Sequence, residues 1–287
     1  MIDRLRNNHD NTIEFNMLNI AVEAAKLAGR FLKQNLGHIK DIREKLGQER
    51  NLVTDIDKRS EEIIIETIKK HFPQHDILAE ETGGKKGNSS DYKWIIDPLD
   101  GTTNFTHGLP VFCVSIGVEW KNEIIAGVIY DPNLDELFTA EKGNGALLNG
   151  KRIKVSQIES INRSLLVTGF PYNITENPDN AVEHFVNFLL SAQAVRRMGS
   201  AAIDLAYVAV GRYDGFWEVA LNPWDMAAGA LLVKEAGGFI TDFSGKHFSI
   251  YDKQILATNS KVHQEMLDMY SMQIQVSASE RRTGLDS

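Results

Sequence analysis

The chain has 287 residues, 43% apolar and 24% charged, which is enough for one large domain or two smaller ones with a substantial core. Lysine and arginine total 31 against 39 aspartates and glutamates, a formal charge of −8. That balance argues against a general binder of nucleic acid or anionic membrane, because phosphate attraction needs a basic surface, but it leaves room for a small anion held by metal ions or backbone amides.

The single cysteine, Cys113, excludes an intrachain disulfide and a cysteine-based zinc site. It sits in the apolar run Val111-Phe112-Cys113-Val114 and reads as a buried, inert thiol. The opening MIDRLRNNHDN lacks the apolar stretch of a signal peptide, and no window approaches the ~20 apolar residues of a membrane span. The expectation is a cytoplasmic protein with no membrane partner and no direct nucleic-acid contact.

In chain order, residues 1–12 are polar and read as a flexible extension. Met17, Ala21, Ala24, Ala28, Phe31 and Leu32 recur at helical spacing and predict a helix over about 13–36. A second helix is predicted from about Asp57 to Phe72, stopped by Pro73. Strands follow at 94–96, 111–120, 124–130 and 136–140, then a hairpin turning at Asn149-Gly150. Beyond residue 160, strands near 165, 194–198 and 215–219 alternate with helices near 178–191, 200–210 and 225–236, the last ended by Gly237-Gly238. Strands at 239–242 and 255–257 and a helix at 260–271 complete the pattern. The reading is mixed α and β in two halves, 13–155 and 156–274, with a disordered tail at 275–287.

Familiar catalytic signatures fail. Gly145 to Lys151 has the glycine and lysine spacing of a nucleotide loop, but Arg152 stands where the magnesium-binding hydroxyl belongs, and the run reads as a hairpin. The informative segment is Trp94-Ile95-Ile96-Asp97-Pro98-Leu99-Asp100-Gly101-Thr102-Thr103-Asn104-Phe105. An apolar strand ends at Asp97, Pro98 stops the ladder, Gly101 permits a sharp turn, and Thr102 or Thr103 can cap a helix. Two carboxylates on so stiff a turn need a cation between them, or one must take a proton; magnesium, which prefers oxygen ligands, is the natural candidate. The Leu99 carbonyl can be aimed inward as a neutral ligand. Glu80-Glu81, Asp225 at the start of an apolar helix, and Asp57 at the start of the second helix are further acidic sites. Each also has a plainer reading, as a solvated turn, a charged loop or a helix cap.

These segments resemble the inositol monophosphatase family of magnesium-dependent, lithium-sensitive phosphatases. Trp94 to Phe105 is similar to its first motif, Trp224-Asp225 through Gly237-Gly238 to its second, and Gly199-Ser200-Ala201-Ala202 to its substrate-side segment. The resemblance implies an α+β, five-layer α-β-α-β-α sandwich of the inositol monophosphatase and fructose-1,6-bisphosphatase type, assembled as a homodimer. It implies two to three magnesium ions per subunit. Glu80, Asp97 and the Leu99 carbonyl would hold the first; Asp97, Asp100 and Asp225 the second; Glu80 and waters a weaker third. Thr102, backed by Asp57, would position and deprotonate the attacking water. Gly101 and Thr102 amides would hold phosphate oxygens, and Glu218 substrate hydroxyls, with Arg196, Gly199, Ser200 and Ala201 nearby.

The implied reaction is direct hydrolysis of a phosphomonoester, with myo-inositol 1-phosphate favoured by Thr103-Asn104 and Glu218. Fructose 1,6-bisphosphate, histidinol phosphate and 3′-phosphoadenosine nucleotides are alternatives within the superfamily. A regulatory protein-binding role on the same fold is the alternative of another class. The segment Arg43 to Arg50, expected to be a mobile loop near the third metal, departs from the family pattern.

Overall fold

The structure, a computed structural model, describes residues 2–38, 42–45, 48–85 and 90–271, with side chains described for 17–38, 55–84 and 90–270. The tail expected at 275–287 lies outside the described residues.

Helix α1 spans Ile2–Asn35. It begins eleven residues before the predicted start, so residues 2–12, expected as a loose extension, are helical. Its inner stripe of Met17, Ala21, Ala24, Ala28 and Leu32 is fully buried, and the alanines allow a close approach to the sheet beneath. Strands β1 (Ile42–Lys45) and β2 (Gln48–Thr54) form an antiparallel ribbon where a loop was expected. Helix α2 (Asp55–His71) follows, with Asp55 and Asp57 in its first turn and Lys69, Lys70 and His71 in its last, charges that complement the helix dipole.

The larger sheet contains β3 (Asp76–Ala79), β4 (Gly83–Lys85), β5 (Tyr92–Asp100), β6 (Cys113–Trp120), β7 (Glu123–Asp131), β8 (Glu136–Glu141), β9 (Gly145–Leu148) and β10 (Lys151–Arg152). Its order is β10-β9-β8-β7-β6-β5-β3-β4, with β3 parallel to β5 and the other neighbours antiparallel. A short helix, α3 (Thr102–Thr106), leaves the end of β5. The Asn149-Gly150 hairpin forms as predicted, both residues taking the positive φ that such a turn requires.

The second sheet has the order β12-β11-β13-β15-β14, built from β11 (Leu165–Thr168), β12 (Ala194–Arg196), β13 (Gly215–Val219), β14 (Phe239–Thr241) and β15 (Gln254–Thr258). Its helices are α4 (Ala181–Ser191), α5 (Ala201–Ala209), α6 (Pro223–Glu235) and α7 (His263–Ser271).

Three apolar clusters define five α+β layers. Helices α1 and α2 bury Ile64, Ile68 and the α1 stripe against Trp94, Ile96, Val114 and Val128 on one face of the large sheet. Helices α5 and α6 fill the space between the sheets, where Ile95 and Ile129 of the first meet Phe216 and Ile255 of the second. Helices α4 and α7 cover the outer face, where their Phe188 and Met266 cluster with Trp217 of β13 and Leu256 of β15. Both faces of the central strands are buried, so β5 reads as a continuous apolar run instead of an alternating one.

Helix α6 sits very close to the sheet. Gly117 and Gly127 are cross-strand partners on β6 and β7. A Cβ on Gly117 would lie 2.8 Å from the Ala227 Cβ, and one on Gly127 would lie 3.0 Å from the Ala228 Cα and carbonyl oxygen. These two glycines set the depth at which α6, and with it Asp225, is seated.

Candidate active site

The site grows from the C-terminal end of β5. The ladder to β6 shifts register between Asp97 and Asp100, around Pro98, which has no N–H to give. Asp97 is 2% exposed, and its Oδ1 accepts the Leu99 N–H at 3.0 Å, which locks the turn. Ser60 on α2 donates to the Pro98 carbonyl at 2.7 Å. Gly101 has φ +104°, and a Cβ there would stand 2.9 Å from the Val111 carbonyl oxygen, so conformation and space both require glycine.

The expectation that a threonine caps the next helix needs correction. Gly101 occupies the cap position of α3, and Thr102 is the first helical residue. The Thr102 hydroxyl points elsewhere, 3.0 Å from Asp57 Oδ1 and 3.1 Å from the Leu99 carbonyl. Its single proton serves one acceptor at a time. Both Asp57 and Thr102 are buried.

Asp100 faces the second half of the chain. Its Oδ2 accepts the Ser200 hydroxyl and the Ala202 N–H, each at 2.7 Å, at the N-terminus of α5. Asn104 fixes the same junction, its side-chain amide donating to the carbonyls of Val111 and Met198 at 2.8 Å each. Gly199, at φ +85°, leaves room for that amide. Asp225 stands in the first turn of α6, where its Oδ2 accepts the Asn222 N–H at 2.7 Å. Glu80 follows β3, and its N–H donates to the Ile96 carbonyl of β5 at 3.2 Å. The loop it belongs to is held by Glu61, a buried carboxylate on α2 that accepts the N–H groups of Glu81 and Thr82 at 2.8 and 3.0 Å.

Four predicted acids therefore act on one another. Burial pushes the Asp97 carboxyl well above its ordinary value, and Glu80, Asp100 and Asp225 push it further. Asp225 is raised well above the usual range by burial, then by Glu80 and Asp100. Burial raises Asp100 to about 6 against the pull of Ser200 and the α5 amides. Such a concentration of negative charge must be balanced by protons or by a cation. Among the described residues no three histidine, cysteine, aspartate or glutamate side chains close around a single point as a finished metal cage; Asp100 and Asp225 each accept a helix-terminal N–H on Oδ2. The donors themselves, carboxylates with the Leu99 carbonyl, suit a hard divalent cation such as magnesium.

On the far side of the site lies Glu218 of β13, nearly buried and raised well above its usual value by burial, then by Asp225 and Asp100. Arg196 is exposed, and its guanidinium donates to the Val195 carbonyl at 3.1 Å. The charge that reaches Glu218 is that of Arg197, its neighbour. Cys113 is buried as expected, near Asp100, and burial then Asp100 push its thiol up.

Sequence reasoning missed three residues here and read a fourth, Asn104, only as a hint to the substrate. Glu61 and Asn104 hold the loops that carry the acids. Asp204 on α5 is 1% exposed with both carboxylate oxygens unpartnered, raised by burial and by Glu218. Tyr172, after β11, is 46% exposed, and partial desolvation and the nearby charge of Glu80 raise its phenol. Only Asp204 carried a local hint, as a charged residue on the otherwise apolar helix Ala201–Ala209.

Comparison with known proteins shows the family and the fold. Residues 15–275 match the inositol monophosphatase family. The chain is 45% identical over 251 residues to the Nus factor SuhB of Escherichia coli, covering 88% of this chain and 94% of that one. It is 41% identical over 251 residues to an inositol-1-monophosphatase of Mesorhizobium japonicum, with the same coverage. Among solved structures, inositol monophosphatase from Anabaena superposes with a TM-score of 0.83 at 45% identity, covering 92% of this chain and 98% of that one. The extragenic suppressor protein suhB of Bartonella henselae gives 0.86 at 40% identity, covering 90% and 100%. The chain belongs to the inositol monophosphatase family of phosphatases.

Proposed function

We propose that the protein is a magnesium-dependent phosphomonoesterase that hydrolyses myo-inositol 1-phosphate, and related sugar phosphates, by direct attack of water. What supports this reading is that Glu80, Asp97, Asp100 and Asp225 lie close enough to raise one another's carboxyls around the buried end of β5, beside the hydrogen-bonded Thr102–Asp57 pair.

In this reading Glu80, Asp97, Asp100, Asp225 and the Leu99 carbonyl would hold two magnesium ions, with Glu80 contributing to a weaker third. Bound magnesium supplies the positive charge that acidifies water, neutralises the phosphate and stabilises the leaving oxygen. With its own proton on Asp57 Oδ1, the Thr102 oxygen presents lone pairs to a water. Thr102 thereby orients that water toward phosphorus and accepts its proton while passing its own hydroxyl proton to the Asp57 carboxylate. The N–H groups of Gly101 and Thr102 hold phosphate oxygens. Glu218 accepts hydrogen bonds from substrate hydroxyls, with Gly199, Ser200 and Ala201 shaping the wall; Arg196 lies at its edge. The ester oxygen leaves as an alcohol after gaining a proton, and inorganic phosphate remains. A homodimer, a cytoplasmic setting and lithium sensitivity belong to the same reading.

The test is phosphate release from a panel of inositol, fructose, histidinol and nucleotide phosphates, with magnesium and with chelator. Magnesium-dependent release, greatest for inositol 1-phosphate, is the expected result. Release from no substrate would overturn it.

The relatives named Nus factor SuhB favour a second reading, a regulatory protein-binding role on the same fold. A partner retained in a pull-down through metal chelation, together with absent phosphatase activity, would select it.

A further inference from the structure

Gly169 lies at the end of β11, next in the sheet to β13, which carries Glu218. A Cβ built on Gly169 would fall 2.2 Å from Glu218 Oε1, 2.3 Å from its Cδ and 2.3 Å from its Oε2. All three nearest atoms belong to that one carboxyl group, so the Glu218 head rests in the space that a side chain at 169 would fill. The backbone of Gly169 is not in the left-handed region, so its conformation does not require glycine. The requirement is for the space alone.

We propose that Gly169 is a positioning residue for substrate selection: its missing side chain lets the Glu218 carboxyl seat where it meets the hydroxyls of a polyol phosphate. This rests on the role assigned to Glu218 above. An alanine at 169 would be accommodated by swinging the Glu218 head, the far end of a flexible side chain, away from its seat. The substitution should thus disturb recognition more than folding.

The experiment uses the purified full chain with magnesium. It compares inositol 1-phosphate with p-nitrophenyl phosphate, which has no hydroxyls to recognise, for Gly169→Ala, Glu218→Gln, Glu218→Asp and the double variant Gly169→Ala/Glu218→Asp. Gly169→Ala should raise KM for inositol 1-phosphate about tenfold, the size expected for losing one buried hydrogen bond. Its kcat should change less than threefold and its Tm by no more than a few degrees. The inositol-to-nitrophenyl ratio of kcat/KM should fall about tenfold. Glu218→Asp, one methylene shorter, should recover part of that ratio in the Gly169→Ala background while lowering it in the native one.

An unchanged ratio in Gly169→Ala, with a lowered ratio in Glu218→Gln, would overturn the positioning role and leave the Glu218 assignment standing. Unchanged ratios in both would overturn both. An equal loss on the two substrates with a large fall in Tm would make Gly169 merely structural.

Discussion

The Thr102 hydroxyl lies 3.0 Å from Asp57 Oδ1, joining the first turn of α3 to the first turn of α2 across 45 residues of sequence. Neither residue faces bulk water. A buried carboxylate that accepts from a threonine beside a cluster of acids is arranged to handle a proton.

Replacing Thr102 by alanine should lower kcat by about 10²-fold or more, with KM changed by less than about threefold. Asp57→Asn should do the same, and the double variant should be little worse than either single one, because the two act as a unit. Steady-state kinetics on all three variants checks this. A Thr102→Ala effect confined to KM would make Thr102 a binding group.

Asp97→Asn should reduce magnesium-dependent turnover by at least about 10²-fold. The metal-free variant should melt at the same or a higher temperature than the native chain, because one of four mutually repelling acids has been neutralised. Calorimetry in chelator, set beside phosphate release, measures both.

The acids of the site are raised in the folded state, so they contribute stability at low pH that is lost as pH rises through their folded values. For Asp100 that window runs from its ordinary value near 3.8 to about 6; Asp97 and Asp225 extend it upward. The metal-free protein should therefore lose thermal stability as pH rises from about 4 through about 6 and above. Saturating magnesium should flatten or reverse the slope by favouring the ionised carboxylates. Melting temperatures across that range, with and without chelator, decide it.

Gly127→Ala would force a methyl against the α6 backbone at Ala228. The expected cost is about 1–3 kcal/mol of stability, read by urea denaturation. Because α6 carries Asp225, the variant should also need more magnesium for half-maximal activity.

Glu61→Gln should keep the fold but loosen the Glu81 and Thr82 amides that steady Glu80. A rise of several-fold in the magnesium needed, with maximal turnover nearly preserved, is expected from a titration of activity against magnesium.

Much of the layout was legible in sequence where periodicity was long or strict. The α1 stripe, the meander of β6 to β8 and the alternation after residue 160 all emerged as read. Strands β3 and β4 were not, because four and three residues are too few to show a period of two. The start of α1 was missed because residues 2–12 are polar and show no apolar stripe. At the site, Asp97, Asp100 and Gly101 announced themselves through the Asp-Pro and Asp-Gly turn. Glu61 and Gly169 did not, and Asn104 only as a substrate hint, because each acts through a tertiary contact that leaves no local pattern.

The most direct test is anomalous diffraction from crystals of this chain soaked in manganese, a scattering substitute for magnesium. Two strong peaks within coordination distance of the Asp97 carboxylate, one reached by Glu80 and the other by Asp100 and Asp225, are expected. No peak between those side chains at saturating manganese would contradict the account.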